Sequence, residues 1–245
     1  MKCKSLFTAL LFCLVCLAPV TALAQTVVIS PRKTVYRRPK PLTEFKKTFT
    51  VRRPIARAST PTLSKTITAT ISPETVLQLN IKEEQTEYQW IEEADYEVLF
   101  NRHGILCIRL WMVGTAAYPD DVTKTVVINL KNGAKVTAAD VFVDLDRLAA
   151  LIKKAQQAEI QAATKEIKSD PANADARPEE LFSEADFTRG TINEFVVSDN
   201  GVTFPYDYGF PHVLSALQPE GEYFFTWADL KPFIKSPGLL ERFVR

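Results

Sequence analysis

The sequence predicts an α+β protein with antiparallel sheet carrying helices on one face. Three observations carry that prediction. β-rich runs cluster instead of alternating with helices. Two turn signals lie between such runs: Asn132-Gly133, whose turn positions need the positive φ of a tight hairpin, and Ser198-Asp199-Asn200-Gly201. One segment near 140–168 has helical period, with Leu145, Leu148, Leu151, Ile152, Ala155, Ala158 and Ala162 on one face. The 245 residues are 46% apolar and 24% charged, a globular balance that excludes collagen, rod and multi-span membrane classes.

In chain order, Lys2 and Lys4, the apolar run Leu6–Leu17 and Ala22-Leu23-Ala24 before Gln25 have the layout of a secretory leader over 1–24. The chain is therefore expected to be exported, periplasmic or secreted. An uncleaved N-terminal anchor is the alternative. Cleavage leaves Cys107 as the last cysteine, so no internal disulfide is expected. Its setting, Ile105-Leu106-Cys107-Ile108, reads as a buried, inert thiol. Residues Gln25–Lys65 hold eleven Lys/Arg against one acid, Glu44, whereas Thr66–Arg245 hold seventeen against 28. With its prolines and few apolar residues, 25–47 reads as a basic disordered arm carrying Arg32, Lys33, Arg37, Arg38, Lys40, Lys46 and Lys47. An anionic polymer or membrane surface, the acidic body itself, or no partner at all suits such an arm. Export argues against nucleic acid.

The body, 48–245, is expected as two subdomains, about 48–140 and 141–245. Thr48–Val51 alternates and opens it as a strand. Ser72 and Pro73 cap a short helix. Glu87–Glu93 and Tyr96–Phe100 read as extended, Ile105–Val113 and Thr123–Leu130 as strong strands, and Ala134–Val136 as the hairpin return. Thr137–Asp140 caps the long helix, which ends near Ser169-Asp170-Pro171. Pro171–Pro178 is a loop, and Pro178–Phe182 starts a short acidic helix. Asn193–Val197 and Val202–Tyr206 flank the second hairpin, Tyr223–Thr226 is a strand, and Ala228–Pro232 leads into a terminal turn or helix.

Two blocks resemble a known module. The first is Tyr96–Asp140, with the turn Gly114–Tyr118, a strand to Leu130, Lys131-Asn132-Gly133, and Thr137–Phe142. The second is Asn193–Lys231, with Phe195–Val197, Asn200–Phe204, Tyr206, Tyr208-Gly209 and Tyr223–Leu230. Their order is similar to the paired extracytoplasmic domain of unknown function in the lysozyme-sensing anti-sigma factor RsiV and before the catalytic domain of PdaC-like peptidoglycan deacetylases. The family often has Gly-Ala-His in the first turn, where this chain reads Ala117-Tyr118. The resemblance implies a sensor or accessory module alone, and it transfers no ligand-binding residue.

No catalytic set emerges. His103 and His212 stand at no metal-ligand spacing, and neither a G-x-S-x-G elbow nor a phosphate-cradling glycine loop is present. No metal and no cofactor are expected. The remaining concentration is aromatic, ten rings between Phe195 and Phe233. Within it Tyr206, Asp207, Tyr208, Phe210 and His212 form a loop that either binds sugar or protein, or plugs the sheet. The sequence thus points to a non-enzymatic envelope module binding a protein or cell-wall glycan, lysozyme or peptidoglycan in class. The alternatives are a carboxylate-dependent envelope hydrolase and a self-associating structural protein.

Overall fold

A computed structural model describes residues 26–115 and 118–245. The leader read at 1–24, and Ala116-Ala117 of the first resembling turn, lie outside the described residues. The fold is α+β. A six-stranded sheet runs in sequence order through β1 (Val28–Arg37), β2 (Thr48–Arg57), β3 (Ile91–Arg102), β4 (Ile105–Thr115), β5 (Pro119–Asn129) and β6 (Ala134–Lys135). All neighbours are antiparallel except β2 and β3, which pair in parallel at Thr50–Val51 because helices intervene. These are α1 (Pro61–Thr70), α2 (Pro73–Val76) and α3 (Ile81–Thr86). A second antiparallel sheet comprises β7 (Val196–Val197), β8 (Gly201–Pro205) and β9 (Glu222–Thr226). Between the sheets in sequence lie α4 (Ala138–Val141), α5 (Leu145–Ser169) and α6 (Pro178–Leu181). The short α7 (Trp227–Leu230) follows β9.

The long apolar run of β4 has a simple cause: both its faces are covered. Leu106, Ile108 and Leu110 pack with Ile67, Ile71, Leu77, Phe49 and Val51. Ile105 and Cys107 face the other way, into a cluster with Leu148 and Ile152 of α5 and Val197, Phe204 and Tyr223 of the small sheet. Cys107 is fully buried, and burial pushes its thiol up to about 12.

The hairpin signals lie where the turns are. Gly133 takes φ +75° and donates its N–H to Asn129. At the second turn Ser198 and Gly201 close the loop. Ser72 caps α2 as expected. Thr137 and Asp140 form a capping box, but it opens the single turn α4, and α5 starts afresh after Asp144, held at φ +51°. α1 is an addition to the expected elements. Thr60 caps it, Pro61 occupies its first turn, and Ile67 is its buried residue. The extended stretch expected over Glu87–Glu93 becomes strand only at Ile91.

The disordered arm is corrected. Ten of its residues form β1, registered pair by pair on β2. Arg38 then turns inward and is 1% exposed. Its guanidinium donates to the carbonyls of Glu84 (3.1 Å), Lys46 (2.5 Å) and Ile91 (2.7 Å), and sits 4.9 Å from the centroid of Phe49. The acids that offset the arm's charge come from far along the chain. Glu84 lies 3.8 Å from Arg38, and Glu92 pairs with Lys46. A local reading of composition sees the cations and the missing helical period but not these partners.

Candidate functional site

The long aromatic loop after β8 faces the outer edge of β5 across a groove of about 1500 Å³. One wall is continuous chain from Pro119 to Val126. The other is built from Thr191, Glu194, Val196 and the stretch between Thr203 and Glu222. The groove exists because β6 is only two residues long. It covers β5 at Ile128 and Asn129, Val136 and Glu194 take up Val127 and Thr125, and the edge outward of Thr125 is left bare.

The structure divides the five loop residues. Tyr206, Asp207, Phe210 and His212 line the groove. The Tyr206 hydroxyl accepts from the Asp186 backbone N–H at 3.0 Å. Asp207 turns its carboxylate onto the Gly209 N–H (2.8 Å) and the Gln218 amide (3.3 Å), fixing the loop at a residue with φ +64°. Phe210 is 9% exposed and packs 5.1 Å from Phe182. His212 stacks on exposed Tyr118 at 4.9 Å and 21°, tying the loop to the start of β5.

Tyr208 does not line the groove. Its hydroxyl lies 2.8 Å from Glu159 Oε2 on α5 and 2.7 Å from the Tyr223 hydroxyl. Tyr223 donates to the same carboxylate oxygen at 2.8 Å, and Gly221 N–H reaches Glu159 Oε1 at 3.2 Å. Burial first, then the adjoining carboxylate, raises both phenols above the ordinary tyrosine value. Phe182, Phe187, Tyr206 and Tyr208 add ring contacts of 5.0–5.9 Å. This part of the cluster is a plug, and the groove-facing part is a surface.

Sequence reasoning missed Glu159, Tyr223 and Glu194 as partners. As a charged residue in the helical stretch, Glu159 reads as belonging to the solvent side of α5. Its spacing of four from Ala155 puts it on the inward margin, and that was the available signal. Glu194 accepts the Thr125 backbone N–H at 2.9 Å and pairs with Lys124 at 3.4 Å. Nothing local in the sequence announces that contact.

The basic residues are scattered by comparison. Arg32, Lys33 and Arg37 are exposed on β1, and Lys40 and Lys47 on the loop to β2. Lys46 is paired and Arg38 buried. In the β1–β2 register Arg32 stands opposite Arg53 and Lys33 opposite Arg52. Glu74 and Asp95 neutralise the β2 members, leaving the β1 members facing solvent.

Among the described residues no three His, Cys, Asp or Glu side chains group as metal ligands. No helix among them is long and apolar enough to cross a membrane.

Comparison with family models and with curated proteins finds no match. Solved structures do match. A DUF3298 family protein from Pseudomonas aeruginosa PAO1 is 16% identical with a TM-score of 0.52, over 86% of this chain and 95% of that one. A member of the DUF3298 family from Bacteroides fragilis is 13% identical with a TM-score of 0.53, over 89% and 97%. At such identities the likeness is one of fold: a domain of unknown function of this α+β type.

Proposed function

We propose that the protein is an exported, non-enzymatic module of the cell envelope that binds a protein or cell-wall glycan through the groove beside β5. The observation that carries this reading is the groove itself. It is long, lined by Tyr206, Phe210 and His212 with polar groups between, and framed on one side by β5. The fold likeness to DUF3298 proteins is consistent with it, and the sequence resemblance to the extracytoplasmic domain of RsiV and PdaC-like proteins supports it. Lysozyme-like proteins and peptidoglycan are the ligand classes that resemblance brings. Periplasmic or secreted placement rests on the leader. The solvent-facing cations of β1 add attraction to anionic polymer or membrane surface, weakening as salt rises.

Co-sedimentation of mature Gln25–Arg245 with purified peptidoglycan, beside capture on immobilised lysozyme, tests the reading. Tyr206→Ala with His212→Ala is expected to weaken binding by about tenfold, the loss of two ring contacts. A folded parent protein that binds neither ligand at low salt overturns it. Release of wall fragments by the parent protein favours the hydrolase reading instead, since Asp120, Asp121, Glu194, Glu220 and Glu222 all line the groove.

A further inference from the structure

We propose that the groove accepts an extended, cationic polypeptide segment as an added strand on the bare edge of β5. The proposal rests on the groove-binding reading and specifies its ligand as a protein segment held by main-chain hydrogen bonds.

The register fixes which backbone groups are available. In an antiparallel pair, alternate residues turn both N–H and C=O toward the partner strand or both away from it. Three bonds show which set turns away from β4. Thr125 N–H goes to Glu194, Val127 C=O accepts from Val136, and Asn129 C=O accepts from Gly133, all on the side opposite β4. By alternation Asp121 and Thr123 belong to the same set. Asp121 N–H is held by the neighbouring Asp120 carboxylate at 2.9 Å. The Thr123 N–H and the carbonyls of Asp121, Thr123 and Thr125 have no partner among the described residues. They form a short ladder opening into the groove. Glu194 already places a carboxylate oxygen where a paired strand would place a carbonyl, and so marks the inner end of the open stretch.

Exposed sheet edges are ordinarily blunted by length, proline, lysine or cover. This edge has Pro119 only at its outer end, and the loop wall stands off it instead of covering it. Such an arrangement is the recognised geometry of strand addition, where main-chain bonds supply affinity and side pockets supply choice.

Charge selects the occupant. Of the ionisable groups lining the groove, Lys124 is paired with Glu194 and Arg109 lies 3.9 Å from Glu222. Among the described residues Asp120, Asp121, Asp207 and Glu220 remain without an ion pair, against Lys135. A basic segment complements that balance and an acidic one is repelled.

The probe is a fluorescein-labelled (Lys-Val)4 octapeptide, with (Glu-Val)4 as the charge control, read by anisotropy with the mature protein. Two further probes carry N-methyl groups on all lysines or on all valines, so that each loses the amides along one edge and keeps its charge. The expected result is binding of (Lys-Val)4, none of (Glu-Val)4, and at least about tenfold loss for one methylated form only. Thr123→Pro removes the outward N–H without touching a ladder bond to β4, and is expected to lose binding to a similar degree with an unchanged melting temperature. Equal binding of all three cationic probes to the parent protein overturns strand addition whatever the variant does. Failure of (Lys-Val)4 to bind, while peptidoglycan still co-sediments, overturns this inference and spares the wider reading. A concentration-dependent dimer abolished by Thr123→Pro makes a second copy the occupant and overturns the choice of partner.

Discussion

Three oxygens at the base of the aromatic loop form a near-equilateral triangle: Glu159 Oε2, Tyr208 and Tyr223, with sides of 2.7–2.8 Å. Both phenol hydroxyls reach the same Glu159 oxygen there. Burial opposes ionisation of either phenol first, and the adjoining Glu159 carboxyl adds to it, so both phenols are raised. The ordinary tyrosine value is 10.0. A folded value above the unfolded one means the contribution is full below about pH 10 and drains away as pH rises beyond it, because the unfolded chain releases those protons first. Stability measured by urea unfolding is therefore expected to fall more steeply above about pH 10 in the parent protein than in Tyr223→Phe. Identical slopes would assign the alkaline loss elsewhere. The loop's aromatic richness was legible in the sequence. Its division was not, because the direction of Tyr208 is set by a carboxylate 49 residues earlier.

Among the elements, legibility tracked how self-contained the cause was. β4 and β5 were readable because both faces of the central sheet bury, so the apolar runs are long. α5 was readable from its stripe. α1 was obscured by its threonines: Thr62, Thr66, Thr68 and Thr70 are weak helix formers, and only Thr60-Pro61 signalled a start. Packing of Ile67 against the sheet supplies what propensity lacks. The same dependence on neighbours governs the end of β4. Here Thr115 N–H donates to Trp90 C=O at 2.9 Å, and the chain entering β3 runs directly over Gly114. A Cβ there would sit 1.9 Å from the Trp90 oxygen and 2.8 Å from the Ile91 Cα. Both contacts are backbone, so no rotamer relieves them. Gly114→Ala is expected to cost about 3 kcal/mol in chemical denaturation with an unchanged m-value. A loss under about 0.5 kcal/mol would show that the strand entrance shifts freely.

At the scale of the molecule, the charge asymmetry changes meaning once β1 is in place. A basic tail is removable, whereas an edge strand is not. Cutting the chain at Thr48 removes the ten registered pairs on β2, the three carbonyl bonds of Arg38 and the buried Val27. It also leaves Glu84 buried without its cation. Breaking a buried ion pair from one side costs about 3–5 kcal/mol on its own. For a chain of this length each kcal/mol moves the melting point by about 2–4 °C. A protein starting at Thr48 is therefore expected to melt at least about 10 °C lower, or to fail to fold, by circular dichroism. Loss of ligand binding on truncation then carries no information about electrostatics. The clean comparison keeps the strand and removes its exposed charge, as in Arg32→Gln, Lys33→Gln and Arg37→Gln together. These side chains face solvent without ion pairs among the described residues, so stability is expected within about 0.5 kcal/mol per site of the parent. Peptidoglycan or vesicle binding that falls in this variant and in high salt alike assigns the attraction to the β1 cations. Binding that is unchanged places it in the groove beside β5. A truncated protein that melts with the parent would show that β1 adds nothing to the fold, against its full register on β2.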